Sequence, residues 1–451
     1  MRTEDRLVEF IRKFSFEEIP NDVLTVVKNV ILNVCGTIVA GAKEEGIKTL
    51  YDYYRRMGGI PEATVFRFND RLPAENSALI NGAMARALDF CDAMVPGLHM
   101  GSTAIPCALA ASELVGYVSG KEFVTAVTVG LEVGSRLNLS EKAYDGFDPT
   151  GVVSTFVGTS VAARLLRLEH SACLNALGLA FNRSGGSFQS NIDGTLAVRV
   201  IQGWTAQTGI MCARYAKEGI TGPKNFLGGI YGFYHLYGKD LFRPEDAIKD
   251  IGESFLLKRT VFKKYPACGA IQSSVEAILN LKKEHEIEPS YVDRIEIEVT
   301  PYVFRLVGRE FKIGDNPRVD AQFSLRYCVA SALTKGSLRL EDFEEKALRD
   351  PSIGELIQKI QVTPKSELDY VDHTAVRVKI ICKDKKEYFM AIDIAPGFPG
   401  NPLSDEEHVK RFLNLADYAK IGKDRAERII DFVKSVEKKE DVGELIGYLS
   451  H

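Results

Sequence analysis

RIEIEVTPYV, residues 294–303, alternates charged and apolar side chains with a period of two, as a half-buried strand does. That alternation marks where sheet begins, because the residues before 255 repeat with helical spacing instead. A second such segment, AVRVKIICKDKKEYFMAIDI at 375–394, reads as two strands joined by the polar turn Lys383–Lys386. Helical spacing appears at Ile271–Leu281 ahead of them and at Leu325–Thr334 and Leu340–Leu348 between them. Residues 256–404 are therefore expected to form a mixed α+β domain. PGFPGNPLS (396–404) ends it as an irregular connector, since its prolines and glycines cannot continue a helix, and residues 405–418 and 423–438 turn helical again.

Upstream the pattern is helix after helix. Leu7, Val8, Phe10, Ile11 and Phe14 recur at helical spacing in residues 4–17, as do Val23, Leu24, Val26, Val27, Val30, Ile31 and Val34 in residues 21–40. The segments 74–90, 102–118, 120–138, 150–167, 170–183 and 203–218 are rich in alanine, leucine, valine and small residues, and several are apolar on all sides. Such helices belong to the interior of a large helical domain. At 451 residues the chain exceeds what one compact core usually holds. The expected fold is mainly α: a large all-α helical domain made of 1–255 and 405–451, with a smaller α+β domain, 256–404, inserted late. No internal repeat is visible.

Composition bounds the partners. With 57 basic and 61 acidic residues the net charge is −4, without the basic excess that holds a phosphate backbone, so no nucleic acid partner is expected. Eight cysteines include no C-x-x-C pair, which argues against closely spaced zinc, thioredoxin-type or iron–sulfur motifs and fits reduced thiols in a cytoplasm. MRTEDRLVEFIRKF at the N-terminus threads charges through its apolar residues, unlike a signal peptide. Thr103–Gly120 is too short, and too interrupted by Glu113, to span a bilayer, so no membrane association is expected. Seven scattered histidines argue against a metal site built from several of them; His170, His285, His373, His408 and His451 sit in charged or terminal contexts and His235 lies among aromatics. Phosphate-loop, dinucleotide, metalloprotease and nucleophile-elbow motifs are all missing, and no cofactor is expected.

Chemistry concentrates in ALDFCDAMVPGLHMGSTAIP, residues 87–106. Asp89 follows a helical run, Pro96 and Gly97 break any helix, and His99 arrives ten residues after Asp89 on the far side of that loop. Folded back, the loop brings a carboxylate and an imidazole together, the combination that removes a proton next to a carboxylate and returns it elsewhere. The residues alone leave a second reading open, in which Asp89 and Asp92 cap a helix and His99 is an ordinary loop residue.

The same stretch is similar to the A-L-D-F-D-D-T…H-P-S…I-P-A-A-L-A signature of the MmgE/PrpD family, which includes 2-methylcitrate dehydratase and cis-aconitate decarboxylase. DPTGVVSTFVGTSVAARLLRLE (148–169), GWTAQTGIMCARYAKEGITGP (203–223), FKKYPACGAIQSSVEAIL (262–279), AQFSLRYCVASAL (321–333) and PGFPGNPLSDEE each resemble a further family segment, from near residue 5 to about 435. The resemblance implies a large helical domain with a smaller α+β lid, usually as a homodimer. It also implies that Asp89, His99, Lys263 and Tyr327 are catalytic, Lys263 being supplied by the lid. Departures are as informative. Ala93 stands for the family's threonine, Asp148 for the histidine of H-P-T-G, and Ala197-Val198 for a Thr-Lys pair whose charge Arg199 replaces one position later. Cys91 replaces an aspartate, Met100 and Gly101 replace Pro-Ser, and Gln272 stands where many members have a second histidine.

What the family's chemistry implies is an acid/base pair, together with fixed positive charge for a di- or tricarboxylate and for the enolate-like charge that develops on it. His99 and Tyr327 answer the first need; Lys263 and Arg199 answer the second, with Arg136, Arg305 or Arg326 as helpers. Asp148, Cys268 and Gln272 join Arg199 as expected substrate-binding positions, Asp148 weakening the hold on a tricarboxylate, and Cys268 reads as a packed thiol rather than a nucleophile. The expected activity is that of a cofactor-independent lyase of the dehydratase type, 2-methylcitrate dehydratase-like, acting on a small polycarboxylate. An epimerase or isomerase, a decarboxylase and an inactive anion-binding relative are the alternatives.

Overall fold

The computed structural model describes residues 1–140, 142–314 and 316–450, so His451 lies outside it. The chain divides into two compact units, Met1–Thr260 with the residues from His408 onward, and Val261–Glu407.

The first unit opens with α1 (Thr3–Lys13), α2 (Asn21–Gly41) and α3 (Ile47–Met57). A short hairpin follows, β1 (Ala63–Val65) antiparallel to β2 (Asp70–Leu72), which interrupts the run of helices with a two-stranded ribbon. Next come α4 (Ala74–Arg86), α5 (Gly101–Val115), α6 (Gly120–Leu137), α7 (Pro149–Leu165), α8 (His170–Arg183), the single turn α9 (Gln189–Ile192), α10 (Ala197–Lys217) and the single turn α11 (Phe233–Leu236). Apolar residues at helical spacing become the core: Val23, Val27, Val30, Ile31 and Val34 of α2 are fully buried. By length and composition α2 passes for a membrane span, yet it packs against α4, α5 and α6 as a central helix of this unit.

Helices α4 and α10 form an antiparallel pair at backbone contact. Gln207 bonds Asn76 at one end, and in the middle a Cβ on Gly203 would lie 2.4 Å from the Leu79 carbonyl oxygen. The consequence is positional: the end of α4 that carries Arg86 lies beside the start of α10 that carries Arg199.

In α6, Glu132 and Arg136 make a 2.6 Å ion pair whose side chains are 0% and 2% exposed. Glu132 also accepts the N–H groups of Leu256 and Leu257, while Arg136 donates to the carbonyls of Lys249, Asp250 and Ser254. Arg136 is therefore a brace for the irregular segment 249–257 and not a helper for substrate.

The second unit contains α12 (Gln272–His285), β3 (Val292–Val299), α13 (Pro301–Val307), α14 (Pro317–Gln322), α15 (Leu325–Lys335), α16 (Glu345–Leu348), α17 (Pro351–Ile357), β4 (Ile360–Pro364), β5 (Val376–Cys382) and β6 (Glu387–Ile392). Its sheet runs β4-β3-β5-β6, with β3 parallel to β4 and the other pairs antiparallel. The alternation in β3 works as expected: Ile295, Ile297 and Val299 point into the core while Glu296 and Glu298 are only partly buried. The strand is shorter than the quoted stretch, however. Thr300 accepts the Val303 N–H at 3.2 Å and Pro301 takes the first helical position, so TPYV turns into α13 instead of prolonging the strand. Leu340–Leu348 is likewise a 3-10 turn followed by α16 rather than one helix. The chain closes with α18 (Asp405–Tyr418), α19 (Lys423–Lys434) and α20 (Gly443–Ser450).

Candidate active site

Where α4 ends, the chain is held by a series of short contacts. The Asp89 N–H donates to the Arg86 carbonyl at 3.0 Å, and Asp89 adopts a left-handed φ of +51°, a conformation that costs a non-glycine residue about 1 kcal/mol or more. Its carboxylate meets the Arg86 guanidinium at 2.6 Å, with side chains 14% and 8% exposed. The two buried charges compensate each other.

The chain then doubles back. Met94 and Leu98 exchange backbone hydrogen bonds at 2.7 and 2.8 Å, which returns His99 to the side of residues 91 and 92. His99 Nδ1 lies 2.8 Å from the Asp92 carbonyl oxygen and 3.4 Å from Cys91 Sγ. A carbonyl oxygen can only accept, so Nδ1 carries a proton and the neutral ring keeps its lone pair on Nε2. The His99 N–H donates to Thr150 Oγ1 at 3.1 Å, and that hydroxyl donates on to the Gly97 carbonyl at 3.3 Å. Thus the first turn of α7 clamps the returning limb of the loop.

Asp92, expected as a capping residue, holds the first residue of α5: its Oδ2 accepts the Gly101 N–H at 2.9 Å, and it is 1% exposed. Burial pushes its carboxyl up to about 6, against the pull of the Gly101 and Asp92 N–H groups and of the Arg411 charge. A folded-state value above the unfolded 3.8 means the folded protein binds the extra proton, so this group makes stability fall as pH rises from about 4 to about 6. Asp92→Asn removes that slope. Relative to the parent, the variant is expected to gain on the order of 2–3 kcal/mol between pH 4 and pH 8, measured by urea unfolding at several pH values.

Asp148, anticipated at a substrate-binding position, proves to be the N-cap of α7. Its Oδ1 accepts the N–H groups of Thr150 and Gly151 at 2.8 and 3.2 Å. Burial raises its carboxyl, while those two donors and Arg86 hold it down. An anion nearby therefore meets a carboxylate already compensated by a helix terminus and an arginine. Arg199 is 8% exposed in the first turn of α10 and donates to the Glu45 carbonyl at 2.6 Å, so it is an interior cation. Arg86 is the cation that motif reading misses; its one signal is a lone charge three residues before Asp89 in a run of apolar and small residues.

In the second unit, Lys263 is 5% exposed on the segment that leads to α12. The connector Pro396–Ser404 packs against that segment: Phe262 donates to the Gly397 carbonyl at 2.9 Å, and a Cβ on Gly397 would sit 1.8 Å from the Phe262 carbonyl oxygen. Gln272, expected to bind substrate, is fully buried and staples the turn around Cys268 instead. It accepts the Tyr265 N–H at 2.9 Å and donates to the Tyr265 and Ala267 carbonyls at 3.0 and 3.1 Å. Cys268 is a packed thiol, 7% exposed, with its N–H on the Gln322 carbonyl at 3.0 Å, which fits the packed reading and not direct contact with substrate.

Tyr327 requires the clearest correction. It is fully buried between Phe311 and Phe343, and its hydroxyl donates to the Asp342 carbonyl. Burial pushes the phenol upward, and with its hydroxyl satisfied by a carbonyl the residue has the surroundings of a core tyrosine. Tyr327→Phe is expected to cost about 1 kcal/mol of stability and to leave turnover within about twofold, as thermal unfolding and steady-state rates will show. Arg326 donates to the Gly308 and Arg309 carbonyls, and Arg305 is exposed on α13, so neither acts as the expected helper. Among the described residues no group of three or more His, Cys, Asp or Glu side chains is placed to hold a metal ion.

Fold and site together define a mainly α chain of two units whose helical part carries an acid–imidazole loop. Residues 5–244 match the MmgE/PrpD N-terminal domain and residues 265–438 the MmgE/PrpD C-terminal domain; the chain belongs to the MmgE/PrpD family. It is 26% identical to a cis-aconitate decarboxylase of Homo sapiens, over 94% of this chain and 89% of that protein. It is 25% identical to the cis-aconitate decarboxylase-like protein oryM of Aspergillus oryzae, over 98% and 96%. A cis-aconitate decarboxylase of Aspergillus terreus is 23% identical over 96% and 93%.

Proposed function

We propose that this chain is a lyase that acts on a small di- or tricarboxylate by moving a proton at a carbon next to a carboxylate, with His99 as the proton-transferring group. The observation that supports the reading is the His99 Nδ1 contact to the Asp92 carbonyl, because an Nδ1 proton donated there leaves Nε2 to accept a proton. Arg86 pairs with Asp89, and Arg86 and Arg199 supply positive charge at one end of the α4/α10 pair. Lys263 is kept as a proposed substrate cation on the strength of its motif.

In a dehydration of the 2-methylcitrate type, Nε2 takes the proton from the carbon and the C–H electron pair becomes the new double bond. Hydroxide then leaves the neighbouring carbon and takes the proton from the imidazolium, giving water and an unsaturated acid. A decarboxylation is the second reading, favoured by the names of the relatives. There the bond to carbon dioxide breaks, its electron pair shifts into the adjacent unsaturation, and the imidazolium supplies the proton that completes the carbon.

Incubation of the purified protein with 2-methylcitrate, citrate and cis-aconitate separates these outcomes. Rising ultraviolet absorbance marks elimination, released carbon dioxide marks decarboxylation, and deuterium uptake without either marks an epimerase. No turnover across the panel overturns the proposal.

A further inference from the structure

We propose that Asp92 is a positioning residue that sets the tautomer of His99 through a clasp with Gly101. Asp92 acts at both ends of the loop: its main-chain oxygen holds His99 Nδ1 at 2.8 Å, and its side chain holds the Gly101 N–H at 2.9 Å. The returning limb, Leu98 to Gly101, is thereby tied to the outgoing limb at its base as well as by the Met94–Leu98 bonds. Gly101 is the partner the clasp requires. A Cβ there would lie 2.2 Å from Asp92 Oδ1 and 2.7 Å from Val30 Cγ1, so any larger residue expels the carboxyl. Asp92 Oδ1 is buried without a hydrogen-bond partner, so the side chain is held to the returning limb through Oδ2 on the Gly101 N–H. Because the hydrogen bond at one ring nitrogen decides where the imidazole proton sits, loosening the clasp lets the proton redistribute between Nδ1 and Nε2.

The effect on turnover rests on the proposed role of His99; the tautomer does not. Nitrogen NMR of histidine-labelled full-length protein, with the His99 signals assigned by their loss in His99→Asn, reads the tautomer directly. The parent and Asp92→Asn, which keeps an oxygen for the Gly101 N–H, are expected to show a protonated Nδ1 and a lone-pair Nε2. Asp92→Ala and Gly101→Ala are expected to show a mixture of tautomers, with kcat lowered on the order of 10–100-fold and KM nearly unchanged. A folded Asp92→Ala or Gly101→Ala whose His99 tautomer matches the parent overturns the inference. A shifted tautomer in a chain whose His99→Asn variant keeps full activity upholds the inference and overturns the proposed function.

Discussion

His99→Asn is expected to lower kcat on the order of 10²–10⁴-fold with a much smaller change in KM, the range that a positioned acid–base group contributes. Asparagine is the informative replacement. Its amide N–H can still reach the Asp92 carbonyl that His99 Nδ1 holds at 2.8 Å, and the backbone bond to Thr150 Oγ1 at 3.1 Å does not depend on the side chain. The loop is thus kept and the basic nitrogen removed, so a loss of rate is a loss of proton transfer. Steady-state kinetics on whichever acid of the substrate panel is turned over decides it. A loss of less than about fivefold assigns the proton to another group and the role proposed for His99 falls.

The largest effect on stability is expected at Glu132, far along the chain from that loop. Glu132→Ala should cost about 3–5 kcal/mol in urea unfolding, since it leaves the Arg136 guanidinium buried with neutral carbonyl and hydroxyl partners. Burial raises the Glu132 carboxyl even with Arg136 at 2.6 Å. The pair contributes chiefly by organising backbone. Five N–H and C=O groups between Lys249 and Leu257 end on these two side chains. For that reason an apolar double replacement, Glu132→Met with Arg136→Leu, is expected not to recover stability, unlike buried ion pairs whose only partners are each other. Recovery to within about 1 kcal/mol of the parent overturns this account.

How much of this was legible in the sequence differs from element to element. Periodicity located α2, α8, α12, α15 and α18, and the alternation at 375–394 resolved into β5 and β6 around the turn at Lys383–Lys386. Strands held by distant partners were not legible. The three-residue β1 is secured by the Glu113 carboxylate, which takes both the N–H and the hydroxyl of Thr64 at 2.7 Å from the far end of α5. β4 is five residues long and carries no alternation strong enough to detect before its parallel pairing with β3. In the site, residue types were easier to find than their surroundings. Asp89 and His99 stood out as polar groups in an apolar stretch, whereas Tyr327 and Gln272 lay in equally good motifs and turned out to hold their own unit together. Arg86 was missed because a single charge at a helix end looks like a surface residue until the helix is seen to be buried.

The contact of α4 and α10 at Gly82 and Gly203 makes the two helices act like the arms of a caliper. Arg86 and Arg199 stand at its tips, one turn beyond the fulcrum on each arm. The spacing of these two cations is then set by a joint made chiefly of backbone. A methyl group added at Gly203 spreads the arms and moves the two guanidinium groups apart, without touching a charged residue.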